Sequence, residues 1–186
     1  MNYEHKMKEL LNEHMTNNAY KFWSIIEKKI GNLCWNKPSS STGKFHKKEG
    51  GYVPSISEHT YEMLYATIQN YALFGISSKT KDSDLLLFAV SLHDGLKYGP
   101  ENSNLHTDVR HDKLMADRIE LARKSFNILF TDIEINILVD TIRYHQGPWS
   151  TDVNGDFNFR DFHPFVLFVH TLDMLSSRNC LKVEEK

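Results

Sequence analysis

His93 and Asp94 stand side by side at the end of an apolar run, Leu85-Leu-Leu-Phe-Ala-Val-Ser-Leu-His-Asp94. An imidazole and an ionised carboxylate are costly to bury there unless something compensates them, and a divalent cation does so. Four further candidate donors, His59, His111, His145 and Asp173, fall within predicted helices or at their ends. The order along the chain is then His, His-Asp, His, His, Asp. Imidazole and carboxylate donors without thiolate suit Zn, Mn, Fe, Co or Ni and argue against a cysteine-built structural zinc site. The chemistry predicted by this set is catalysis at a metal.

Helices must bring those residues together. Residues 3–31 carry apolar residues at helical spacing, broken near Thr16-Asn-Asn18 and ended by Gly31, which predicts one or two covering helices over 1–35. A turn-rich connector, Asn36-Lys-Pro-Ser-Ser-Ser-Thr-Gly-Lys44, leads to an ordered loop whose paired glycines, Gly50 and Gly51, permit a tight backbone path. Ser57 to about Phe74 reads as helix, with His59 on the face of Met63 and Ala66. Asp82-Ser-Asp84 supplies N-cap chemistry for a helix that lines up Leu86, Ala89, Val90 and His93 and is stopped by Gly99-Pro100. A charged helix from Arg110 to about Phe126 carries His111 in its first turn. Thr131-Asp-Ile-Glu134 reads as a capping box for a helix ending at His145. Residues 149–162 are a polar and aromatic excursion, read as a short hairpin or a lid. Pro164 then opens a last helix in which Val166, Val169, His170 and Asp173 share a stripe. Strand signals are scarce, so the predicted class is all-α.

With 186 residues and 40% apolar content, a single domain with one core is expected. The 22 basic and 24 acidic residues give no basic excess, which disfavours long duplex nucleic acid and leaves small anionic ligands open. Cys34 and Cys180 are too few and too far apart in sequence for a disulfide framework and are read as reduced thiols. The charged start and the shortness of the apolar runs predict a soluble, cytoplasmic protein with no membrane segment.

From about Ser39 to Arg178 the chain resembles the HD superfamily of metal-dependent phosphohydrolases. The residues that carry the likeness are Ser41-Thr-Gly-Lys-Phe-His46, Glu49-Gly-Gly51 leading to Glu58-His-Thr60, and Leu92-His-Asp-Gly-Leu-Lys97. They continue with His111 ahead of Met115-Ala116, Arg143-Tyr-His-Gln-Gly147, and His170-Thr-Leu-Asp-Met-Leu175. The ordered set is similar to HD domains of bacterial and phage proteins related to 3'-5' exoribonucleases and small nucleotide hydrolases. The chain departs from the pattern by an extra residue in the connector and by Gln146, where many relatives have a second histidine.

The resemblance implies an HD-type bundle over 36–186, with the N-terminal helices of 1–35 packed on it as one structural domain. It further implies that His59, His93, Asp94 and Asp173 bind a first ion, with Asp94 bridging to a second held by His111 and His145, so one or two divalent ions are expected (Mn, Co, Ni, Zn, Mg or Fe). Asp94 and Lys97 are the expected catalytic residues, Lys97 neutralising phosphate charge. His46, Lys97, Arg143 and Trp149 are candidate substrate contacts, with Phe157 as a further stacking surface. His170 is expected to orient or pack, and His106 to lie in a loop. The implied activity is hydrolysis of a phosphate ester or anhydride in a nucleotide or short oligonucleotide. A di-iron oxygenase and a non-catalytic nucleotide sensor are the alternatives, and homo-oligomerisation is left open.

Overall fold

The computed structural model describes residues 2–29, 34–44, 46 and 48–178; Gly31, Phe45 and Cys180 lie outside the described residues. The fold is all-α. Among the described residues eight helices follow one another as α1 (Tyr3–His14), α2 (Asn17–Lys29), α3 (Ile56–Gln69), α4 (Lys81–Leu92), α5 (His111–Leu121), α6 (Arg123–Phe126), α7 (Asp132–Arg143) and α8 (Pro164–Ser177). Among the described residues no strand forms, only one isolated bridge between Pro38 and Ser55. No described helix is long and apolar enough to cross a membrane.

Helix α4 is the axis of the bundle. Ser83 to Leu92 are all buried, as expected of a helix apolar on every side, and α1, α3, α7 and α8 pack around it. Phe88 meets Phe22, Phe126 and Phe130 in edge or tilted ring contacts that tie α2 and α6 to this axis. The first two helices add Met7, Leu11, Met15 and Trp23 to the same core, and buried Trp23 donates its indole N–H to Ser91 Oγ at 2.8 Å.

Several boundaries differ from the expectation. The N-cap of α4 is Thr80, in a reciprocal capping box with Ser83, so of the Asp82–Asp84 stretch only Ser83 takes part in the capping. Asp84 is engaged elsewhere, since its two oxygens accept the backbone N–H (2.8 Å) and hydroxyl (2.6 Å) of Thr16, which fixes the break between α1 and α2. The 111–126 segment is interrupted at Ala122. Residues 149–162 form no hairpin; they run through tight 3-10 turns at Gly147–Trp149 and Phe159–Asp161, with Phe157 packed on Tyr144, Phe159 and Phe162. The capping box at Thr131 and Glu134 and the Pro164 start are as expected.

The end of α4 departs most. The helix stops at Leu92, well before Gly99-Pro100, and the backbone tightens into successive three-residue turns, Gly95 N–H to Leu92 O, Lys97 N–H to Asp94 O and Gly99 N–H to Leu96 O, at 2.9, 3.0 and 3.0 Å. Side chains three apart eclipse in such turns, so Lys97 lies directly over Asp94 and not round the face of a continuing α-helix.

Candidate metal centre

Six side chains from five parts of the bundle meet where α4 ends. His59 comes from the first turns of α3, His93 and Asp94 from the end of α4, His111 from the first residue of α5, His145 from the turn after α7, and Asp173 from α8. His59, His93, Asp94 and His145 are at most 1% exposed. The two oxygens of Asp94 face opposite ways. Oδ2 lies 3.6 Å from His59 Nε2 and 3.5 Å from His93 Nε2, while Oδ1 lies 3.1 Å from His111 Nε2 and 3.8 Å from His145 Nε2. Asp173 Oδ1 closes the first group, 3.2 Å from His59 Nε2. Donors about 2.0–2.2 Å from one ion stand about 3–3.5 Å from each other, so these spacings suit metal ligands.

The hydrogen bonds on the far side of each ring decide what the near side offers. His93, His111 and His145 place Nδ1 against the carbonyls of Val90, Asp108 and Ile142 at 2.8, 2.8 and 2.7 Å. Only a protonated Nδ1 can donate to a carbonyl, so each Nε2 turns a lone pair inward. His59 reaches the same state through side chains. Its Nδ1 is 2.8 Å from Ser176 Oγ, Ser176 donates to Glu62 Oε2 at 3.3 Å, and Lys48 binds Glu62 and, at 2.7 Å, Glu58. Four lone pairs and two carboxylates thus converge. His59 Nε2 and His93 Nε2 are only 3.2 Å apart with no proton to share, and the buried Asp94 Oδ1 and Asp173 Oδ1 have no hydrogen-bond donor among the described residues. That arrangement is repulsive until a cation stands in the middle, and it fits a divalent ion.

The electrostatics agree. Burial drives the His93 imidazole down to about 3, and burial with neighbouring His111 lowers His145, so both rings are neutral and fit to ligate. Burial opposes ionisation of Asp94, but the ammonium of Lys97 outweighs it and holds the carboxyl well below the usual range. Burial likewise opposes the charge on Lys97, yet Asp94 and Asp173 keep its ammonium protonated; Nζ is paired with Asp94 Oδ2. Cys34 lies against the carbonyls of Asp94 and Gly95, and burial, then Asp94, pushes its thiol up to about 11, so it offers no thiolate.

The other expected site residues are placed less uniformly. His46 is buried, with its ring edge-on to His59 at a centroid distance of 4.5 Å, and burial drives its imidazole down to about 2. Arg143 points elsewhere, paired with Asp117 (2.7 Å) and Asp152. Trp149 is 66% exposed and stacks on His170, whose Nδ1 donates to the carbonyl of His145 at 2.9 Å. His170 thus packs between Trp149 and the backbone of His145, and His106 is exposed in its loop. Gly147 is required at that corner: its φ is +61°, and a Cβ there would stand 2.8 Å from His170 Cε1.

The Ser176–Glu62–Lys48 chain was missed in the sequence. Its one signal is Glu58 and Glu62 at i, i+4 on the buried side of the His59 helix, where carboxylates need partners. What the molecule contains, then, is a buried cluster of histidine and aspartate that could hold metal. Compared with known proteins, the chain matches no family model, no curated protein and no solved structure.

Proposed function

We propose that this chain is a metal-dependent phosphohydrolase of the HD type, cleaving a phosphate ester or anhydride of a nucleotide or short oligonucleotide with activated water. The observation that carries the reading is the split of Asp94, with one oxygen toward His59 and His93 and the other toward His111 and His145. Two cations shared by a carboxylate so placed would stabilise both the attacking and the leaving oxygen of a phosphate displacement. His59, His93, Asp94 and Asp173 would hold the first ion, and Asp94, His111 and His145 the second. When bound, Mn, Co, Ni, Zn, Mg or Fe supplies hydroxide near neutral pH and neutralises charge on the phosphate oxygens.

The chain's own residues do the rest. Lys97, buried and cationic, sits on Asp94 ready to exchange that carboxylate for a phosphate oxygen once Asp94 is engaged by metal. Asp112 holds the 147–151 turn by accepting from the Thr151 N–H and hydroxyl, both at 2.9 Å, and the exposed ring of Trp149 on that turn is the surface offered to a base. Arg143 reaches a substrate only by giving up Asp117 or Asp152.

The test is metal analysis of the purified protein joined to a phosphate-release screen over nucleoside mono- and triphosphates, cyclic dinucleotides and short oligonucleotides, with each metal in turn. Metal-dependent turnover of one class is expected. Bound iron with oxygen uptake and no phosphate release would overturn the hydrolase in favour of an oxygenase, and ligand binding without turnover would leave a sensor.

A further inference from the structure

We propose that His46 is a fifth protein donor to the ion held by His59, His93, Asp94 and Asp173. That ion is then nearly closed, and the ion at Asp94, His111 and His145 is the open one that receives the phosphate. The inference rests on the two-ion reading above and replaces the expectation that His46 contacts substrate.

Four observations on the loop before α3 carry it. A His46 donor atom, with those of His59 and Asp173, forms a group whose members all lie within 4.8 Å of one another. His46 is 5% exposed, too buried for a solvent-facing loop histidine, and its Nδ1 has no hydrogen-bond partner among the described residues. Asp173 Oδ1 beside it is equally unsatisfied, so one cation between them would answer both. The backbone of His46 is held in the left-handed region at φ +57°, rare for a residue with a Cβ, and its N–H donates to Ser177 O at 2.8 Å. That bond anchors the loop to the last turn of α8, the helix that supplies both Asp173 and Ser176.

The chemistry of His59 assigns the donors to one ion. A neutral imidazole ligates through one nitrogen, and Nδ1 of His59 is committed to Ser176, so only Nε2 is free. The group with His46 and Asp173 and the group with His93 and Asp94 both include His59 and therefore share a single ion. Three imidazoles and two carboxylate oxygens leave that ion about one vacant position of six, whereas the ion at Asp94, His111 and His145 keeps three.

The experiment uses the whole chain, stripped of metal, labelled with 15N-histidine and saturated with 113Cd. Five imidazoles with a resolved 113Cd–15N coupling are expected, from His46, His59, His93, His111 and His145. Four would overturn the assignment of His46 while leaving the two-ion site standing, and no coupling would overturn both. Five couplings without phosphate release in the screen would keep the inference and remove the hydrolase. His46→Asn, which tolerates the left-handed backbone, is expected to lose one coupling and to weaken the tighter Co site roughly tenfold or more, with the weaker site unchanged. Equal Co affinities in wild type and H46N would count against His46.

Discussion

The two sides of the candidate metal centre, His59 with His93 and His111 with His145, hold their histidines by two different means. His93, His111 and His145 each donate Nδ1–H to the carbonyl of the residue three positions earlier, a bond that the turn containing the histidine supplies by itself. His59 instead depends on Ser176 from α8, Glu62 from its own helix and Lys48 from the loop before it. A carbonyl cannot be deleted by substitution, whereas each member of a side-chain relay can. The three carbonyl-held rings should therefore tolerate change around them, and His59 should be sensitive at a distance.

The largest effect is expected where the sides join. Asp94→Asn keeps the volume but removes the charge both sides share, and phosphate release should fall roughly 10³-fold or more with loss of bound metal. Wild-type-like turnover in D94N would remove Asp94 from the mechanism. Lys97→Ala should lower kcat roughly 10²-fold with metal content unchanged. Loss of metal in K97A would show that the lysine sets Asp94 and does not act on phosphate.

The relay is the next place to press. Ser176→Ala and Glu62→Gln should each weaken metal binding roughly 10- to 100-fold, without touching a ligand. By contrast Asp108→Asn leaves the carbonyl that holds His111 in place and removes only the exposed pairing with Arg110, so metal affinity should move by less than about threefold. Equal losses in S176A and D108N would erase the distinction between the two kinds of support.

Acid probes both sides together. His93 titrates near 3 when folded and near 6.5 when unfolded, so the unfolded chain binds the extra proton between these values. The stability of the metal-free protein is then fully present above about pH 6.5 and falls as the pH drops toward 3, by about 1.4 kcal/mol per pH unit for each such group. His46 and His145 act in the same direction. Urea midpoints measured from pH 7.5 to 5 should fall steadily, and added metal should raise them without lessening the slope; a level profile without metal would show that these rings are charged in the fold.

Much of the bundle was legible because its signals are local. Thr131 and Glu134 cap each other within one turn, Pro164 fits a first turn, and the periodicity around His59 and Asp173 put both on inward faces. The same logic failed where a distant group claimed a residue's polar atoms. Asp84 looks like a cap by type, yet Thr16 occupies both of its oxygens, so Thr80 caps α4 instead. Of the two readings of 149–162, short hairpin or lid, the hairpin gave way to aromatic packing of Phe157 and Phe162 against Tyr144, a contact that alternation in the sequence does not encode.

The sequence by itself determined which histidines and aspartates lie on inward faces and the carbonyl bonds that orient His93, His111 and His145, since helix and turn geometry fixes what lies three residues away. Only the tertiary structure decided that the two oxygens of Asp94 face separate histidine pairs, that Ser176 and Glu62 orient His59, that His46 turns inward, and that Arg143 is spent on Asp117 and Asp152. Those outcomes depend on contacts between residues 9 to 117 positions apart, set by how the helices pack.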